Sequence, residues 1–103
     1  MMFTVLPDAP AAPTLELILG GTDNRPTFQW DPVGGATRYY LELRNLTTNR
    51  LLRHLSLSTS VCSTGTCSYA LPFTLMNGNY LWRVRSYNIA GWSAFSETNF
   101  SVP

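Results

Sequence analysis

Apolar and polar residues alternate with a period of two over most of the chain, and the clearest run is Gly78 to Ser96, GNYLWRVRSYNIAGWSAFS. Tyr80, Trp82, Val84 and Ser86 fall on one face of that run, and Leu81, Arg83, Arg85 and Tyr87 on the other. Successive side chains of a strand point to opposite faces. Large aromatics at every second position therefore mark a sheet packed on another sheet. A glycine turn leads into a further strand that opens on Trp92-Ser93.

The same alternation, cut by turn residues, places the other strands. Thr14 to Leu19 is the first, stopped by Gly20-Gly21. Pro26 to Asp31 is the second, with Phe28 and Trp30 inward, and Pro32 to Gly35 turns the chain. Thr37 to Leu46 is the third, with Tyr39, Leu41 and Leu43 inward and Tyr40, Glu42 and Arg44 outward. Asn49 to Leu57 is the fourth and Thr66 to Leu71 the fifth, the latter with Cys67, Tyr69 and Leu71 on one side. Pro72 to Asn77 crosses between sheets, Asn79 to Asn88 is the sixth strand, and Trp92 to Val102 the seventh. Seven short strands at this spacing predict an all-β, seven-stranded antiparallel β-sandwich. Its expected core is Phe28, Trp30, Tyr39, Leu41, Leu43, Tyr69, Leu71, Leu75, Tyr80, Trp82, Val84 and Phe100.

Length and composition agree with one such domain. The chain has 103 residues, 45% hydrophobic and 13% aromatic, enough for a single core without metal support. Charged residues are only 13% and the formal net charge is +1, which gives no electrostatic case for nucleic acid or an anionic membrane. No stretch approaches membrane-spanning length, so membrane insertion is not expected. All seven basic residues are arginine, a side chain that stacks on aromatic faces. Cys62 and Cys67 lie in VCSTGTC, where a short loop containing Gly65 can bring them together. A local disulfide is expected, and with it an oxidising compartment.

From Pro13 to Val102 the chain resembles a fibronectin type III module. The residues that carry the likeness are the proline entry, Trp30 before Asp31-Pro32, and Tyr39-x-Leu41-x-Leu43. Leu75-x-x-Gly78-x-Tyr80-x-Trp82-x-Val84 and Asn88-x-x-Gly91-x-Ser93 follow in order. The resemblance implies an immunoglobulin-like sandwich over 14–103, of the kind found in secreted bacterial multidomain proteins. It also implies a tyrosine corner at Tyr80, whose hydroxyl ties down the crossover backbone. Residues 1–13 read as an extended segment or linker. Phe3-Thr4-Val5-Leu6-Pro7 resembles Phe100-Ser101-Val102-Pro103, as though a preceding last strand ran into a proline linker. The chain thus reads as one repeat of a tandem array.

Candidate chemistry is sparse. His54 is the only histidine, the six acids are scattered over different elements, and no metal, phosphate or nucleotide motif occurs. No enzyme activity and no cofactor are expected. The candidate contact surface is the outward face of the third and sixth strands, Tyr40, Glu42, Arg44, Arg83, Arg85 and Tyr87, together with Trp92. Trp92-Ser93-Ala94-Phe95-Ser96 resembles the Trp-Ser-x-Trp-Ser box of cytokine-receptor modules, with Phe95 in place of the second tryptophan. That likeness implies stacking on Arg83 and Arg85. Asn45-Leu46-Thr47 and Asn99-Phe100-Ser101 fit glycosylation sequons.

The expectation is a non-enzymatic extracellular or cell-surface module, a spacer or protein-contacting domain. Its partners would be neighbouring modules or copies of itself. One rival is a self-assembling filament or virion-surface subunit docking through Phe3, Thr4 and Val5. Another is a carbohydrate-binding module that stacks a glycan on Tyr40, Tyr87 and Trp92.

Overall fold

The computed structural model describes residues 9–16 and 24–103. Among these residues lie eight strands: β1 (Thr27–Trp30), β2 (Arg38–Asn45), β3 (Arg50–Ser58), β4 (Cys62–Ser63), β5 (Thr66–Ala70), β6 (Gly78–Asn88), β7 (Gly91–Trp92) and β8 (Ser96–Val102). A 3-10 turn at Thr59–Val61 precedes β4. Two antiparallel sheets form, one in the order β1-β5-β4 and the other β3-β2-β6, with β7 and β8 pairing successive parts of β6. The architecture is the expected β-sandwich.

Two aromatic-rich strands organise it. Along β2 and β6, burial alternates residue by residue, so Tyr39, Leu41 and Leu43 stack beside Ser86, Val84 and Trp82. Phe28 and Trp30 enter from the facing sheet. The Phe28 ring lies 4.9 Å from Trp82, and Trp30 meets Tyr39 edge-on at 5.6 Å. These rings are almost wholly removed from water. Burial of one such side chain stabilises the fold by about 1.5–3 kcal/mol. The indole nitrogens of Trp30 and Trp82 are buried without a hydrogen-bond partner among the described residues, whereas the tyrosine hydroxyls are used locally. The Tyr80 hydroxyl donates to the Met76 carbonyl at 2.6 Å, and the Tyr39 hydroxyl accepts from the Val33 amide at 2.9 Å. The Tyr80 bond is the expected tyrosine corner.

The structure departs from the expected elements at several points. The final strand is interrupted at 93–95. There the Ser93 hydroxyl accepts from the Ser86 amide at 2.9 Å, while the Ser93 amide donates to the Ser86 carbonyl. A side chain thus takes the place of a ladder carbonyl, and the strand kinks. Hairpin β4–β5 was not expected. Thr64 and Gly65 turn it, both at positive φ (48° and 86°), the geometry of a tight type I′ hairpin. Of the first expected strand, Leu15 bridges Trp30, and residues 17–19 lie outside the described residues.

Tyr69 and Phe100 are only partly buried and flank the core, because both sit at open edges of the sandwich. Cys67 and Val102 join the core instead. Pro10 and Pro13, in the segment read as linker, are buried, and the Ala11 carbonyl accepts from the Ser86 hydroxyl at 2.7 Å.

Candidate contact surface

The outward face of β2 and β6 is built by register. Tyr40 lies opposite Arg85, Glu42 opposite Arg83, and Tyr87 opposite Trp92. Antiparallel neighbours on one face are close enough for long side chains to interact directly. Here they do so in an alternating stack. The Arg85 guanidinium lies 4.4 Å from the Trp92 ring centre, 4.7 Å from Phe95 and 5.3 Å from Tyr40. Arg83 continues the stack, 3.9 Å from the Phe95 ring on its own side. Tyr87 leans on Trp92 at 4.7 Å.

The kink at 93–95 makes this possible. A regular strand would send Trp92 and Phe95, three residues apart, to opposite faces. With the ladder interrupted at Ser93, both rings reach the same pair of arginines.

One ion pair lies within the same cluster, and Arg85, whose buried Nε has no hydrogen-bond partner among the described residues, leaves it a net positive charge. Arg83 Nε donates to Glu42 Oε1 at 2.5 Å, with the carboxylate side chain only 15% exposed. The Tyr40 hydroxyl donates to the other oxygen of Glu42 at 3.4 Å. Burial, followed by the charge and hydrogen bond of Glu42, pushes the Tyr40 hydroxyl above its usual pKa, and Arg85 and Arg83 oppose that rise.

Arg44 stands apart from the cluster and binds the Asn49 carbonyl at 3.2 Å in the β2–β3 turn. The structure therefore brings together Tyr40, Glu42, Arg83, Arg85, Tyr87 and Trp92 but not Arg44. It adds Phe95 to the set, and the Trp92-to-Phe95 spacing was the sequence signal for it. It also adds His54, opposite Glu42 on β3 and 6.5 Å from the Tyr40 ring.

Cys62 and Cys67 are directly opposed in the β4–β5 hairpin and form a disulfide. Phe3, Thr4 and Val5 lie outside the described residues. Ile89, at the β6–β7 turn, is 86% exposed. In the Asn45 sequon, the Asn45 side chain already accepts the Thr47 and Thr48 amides, as a turn cap. An open groove of about 340 Å³ beside it is lined by uncharged residues, among them Asn79, Asn99 and Ser101. Among the described residues, no cluster of three or more metal-ligating side chains occurs, and no helix is long and apolar enough to cross a membrane.

Two facing antiparallel sheets, a tyrosine corner and a kinked last strand define an immunoglobulin-like β-sandwich. No family model matches the sequence, and no curated protein matches it either. Solved structures do. FN3tt is 21% identical, with 95% of this chain and 96% of that one aligned and a TM-score of 0.60. The fibronectin type III domain of human fibronectin type III domain containing protein 3 is 16% identical, over 97% of this chain and 92% of that one, with a TM-score of 0.59. The twitchin kinase region of C. elegans, a multidomain chain, aligns at 21% identity over 94% of this chain and 17% of that one, with a TM-score of 0.59. The fold of this chain is fibronectin type III-like.

Proposed function

We propose that this chain is a non-enzymatic extracellular module, a spacer or protein-contacting domain of a larger secreted or surface protein. The observation that carries the reading is where the chain enters and leaves the sandwich. Segment 9–16 is held beside Ser86 near one end of β6, through the Ala11 carbonyl, and β8 finishes beside Gly78 at the other end. Eight residues of strand separate these points, roughly 26 Å at about 3.3 Å per residue. A domain with entry and exit at opposite poles transmits position along a chain and holds its neighbours apart. The Cys62–Cys67 disulfide favours an oxidising compartment.

In this reading the arginine–aromatic stack is a fastener for the last two strands before it is a recognition surface. Its rings are already stacked on the two guanidinium groups, and Arg83 is paired with Glu42. That occupancy weighs against glycan stacking on Tyr40, Tyr87 and Trp92, since Arg85 covers both Tyr40 and Trp92. Tryptophan fluorescence titrated with polysaccharides separates that rival, which requires a quench or shift.

The spacer reading is tested by joining two copies through the chain's own PDAPAAP segment and recording small-angle X-ray scattering. The expected result is an extended particle about twice as long as one copy. A compact side-by-side pair would overturn the reading. Concentration-dependent oligomers of the single chain that vanish when residues 1–6 are removed would instead support assembly through Phe3, Thr4 and Val5.

A further inference from the structure

The free edge of β3 is a different surface from the arginine–aromatic stack. β3 pairs with β2 along one side, and among the described residues no strand pairs its other side. Along its nine residues the backbone groups that face away from β2 are therefore open, a template for another extended chain.

Arg53 sits in the middle of that edge. It is opposite Leu43, a core residue, so it points between the sheets and not outward. Its Nε donates to the Tyr69 hydroxyl of β5 at 3.0 Å, and its guanidinium lies 5.9 Å from the Tyr69 ring. Its two terminal nitrogens make no hydrogen bond or ion pair among the described residues. Among the described residues the half-buried guanidinium has no counter-charge.

The neighbouring strands supply none. No aspartate or glutamate occurs between Glu42 and Glu97. β3, the 3-10 turn, β4 and β5 thus carry Arg50, Arg53 and His54 without a single carboxylate. Glu42 is on the outer face and held by Arg83 and Tyr40. On the same face of β3 as Arg53, Leu55 and Leu57 are partly buried against the core, at its open flank.

We propose that the β3 edge binds an extended acidic segment of another protein as an added strand. The partner's backbone continues the β-ladder. Its side chains on the inner face alternate, one carboxylate meeting the free fork of Arg53 and apolar residues covering Leu55 and Leu57. An arginine fork takes a carboxylate through two parallel hydrogen bonds, which selects the acid and fixes the register. A second copy of β3 does not fit, because pairing would set arginine-rich strands together with no acid between them.

The test is NMR titration of the ¹⁵N-labelled protein with the synthetic peptide Thr-Val-Thr-Val-Thr-Asp-Thr. Two control peptides accompany it: one with lysine in place of aspartate, and one N-methylated at alternate residues. The expected result is shifted amide signals over 52–57 and at Tyr69, with binding at least tenfold weaker for the lysine peptide and absent for the N-methylated one. Arg53→Gln weakens the acidic peptide to the level of the lysine peptide. No shift in β3 at millimolar peptide, or equal binding of acidic and lysine peptides by the unaltered protein, would overturn the proposal and leave Arg53 as a charge that only blunts the edge.

Discussion

Replacing Tyr80 by phenylalanine removes one oxygen from the core and nothing else. The ring is 1% exposed and stacks on Phe100 at 5.4 Å, and both features survive the change. What is lost is the hydrogen bond to the Met76 carbonyl, 2.6 Å long, which pins the loop between β5 and β6. A net hydrogen bond is worth about 0.5–1.5 kcal/mol, and a buried acceptor left empty costs about 1–3 kcal/mol. The Met76 side chain is 81% exposed, so water can reach this loop and relieve part of the second cost. The expected loss is therefore about 1–2 kcal/mol. In a domain of this size each kcal/mol lowers Tm by roughly 4–8 °C. Urea unfolding followed by tryptophan fluorescence reads the change, because Trp30 and Trp82 are fully buried in the native state. The m-value should not change, since the surface exposed on unfolding is the same. A loss below about 0.3 kcal/mol at constant m would refute the idea that this hydroxyl anchors the crossover.

Three further outcomes follow from the same contacts. Changing both Cys62 and Cys67 to serine opens a small ring, and loop entropy predicts a loss of about 2 kcal/mol by urea titration, with the fold retained. Ser86→Ala removes the donor to the Ala11 carbonyl, and at about 1 kcal/mol it should free segment 9–13 to proteolysis while β6 stays intact. The raised pKa of Tyr40 makes the folded state hold its proton more tightly than the unfolded chain. Its contribution is complete below the ordinary tyrosine value of about 10 and is lost as pH rises through the higher folded value. Tyr40→Phe should therefore flatten the stability curve above pH 10, seen as Tm against pH.

The sandwich was legible because its central strands obey one rule. β2 and β6 alternate cleanly, and each carries large rings on the buried side only. Shorter and irregular pieces were less legible for specific reasons. β4 is two residues long and carries no alternation to read. The break after β7 depends on a serine hydroxyl replacing a backbone carbonyl, which no local pattern announces. Tyr69 and Phe100 follow the inward pattern, yet the pattern shows neither that β4 stops short of Tyr69 nor that β8 is an edge strand.

The candidate surface was partly legible. Register put Glu42 beside Arg83, as the strand assignments implied, and Trp92, opposite Tyr87, reaches Arg85 as the Trp-Ser-x-Trp-Ser likeness implied. Arg44 fell outside the cluster because the β2–β3 turn offers it a nearer acceptor at Asn49. Arg53 drew no attention in the sequence. A bulge between Leu43 and Arg44 shifts the register of β3, and the significance of Arg53 appears only when Tyr69 is seen across the gap.

The central claim is that the arginine–aromatic stack fastens the last strands. Amide hydrogen exchange, compared between the wild type and Arg85→Met, tests it most directly. Methionine keeps the apolar stem over Trp92 and Phe95 and deletes only the guanidinium. The account predicts exchange about tenfold faster over 91–95, with Leu41, Leu43, Trp82 and Val84 still among the slowest amides. Unchanged protection over 91–95 would contradict it.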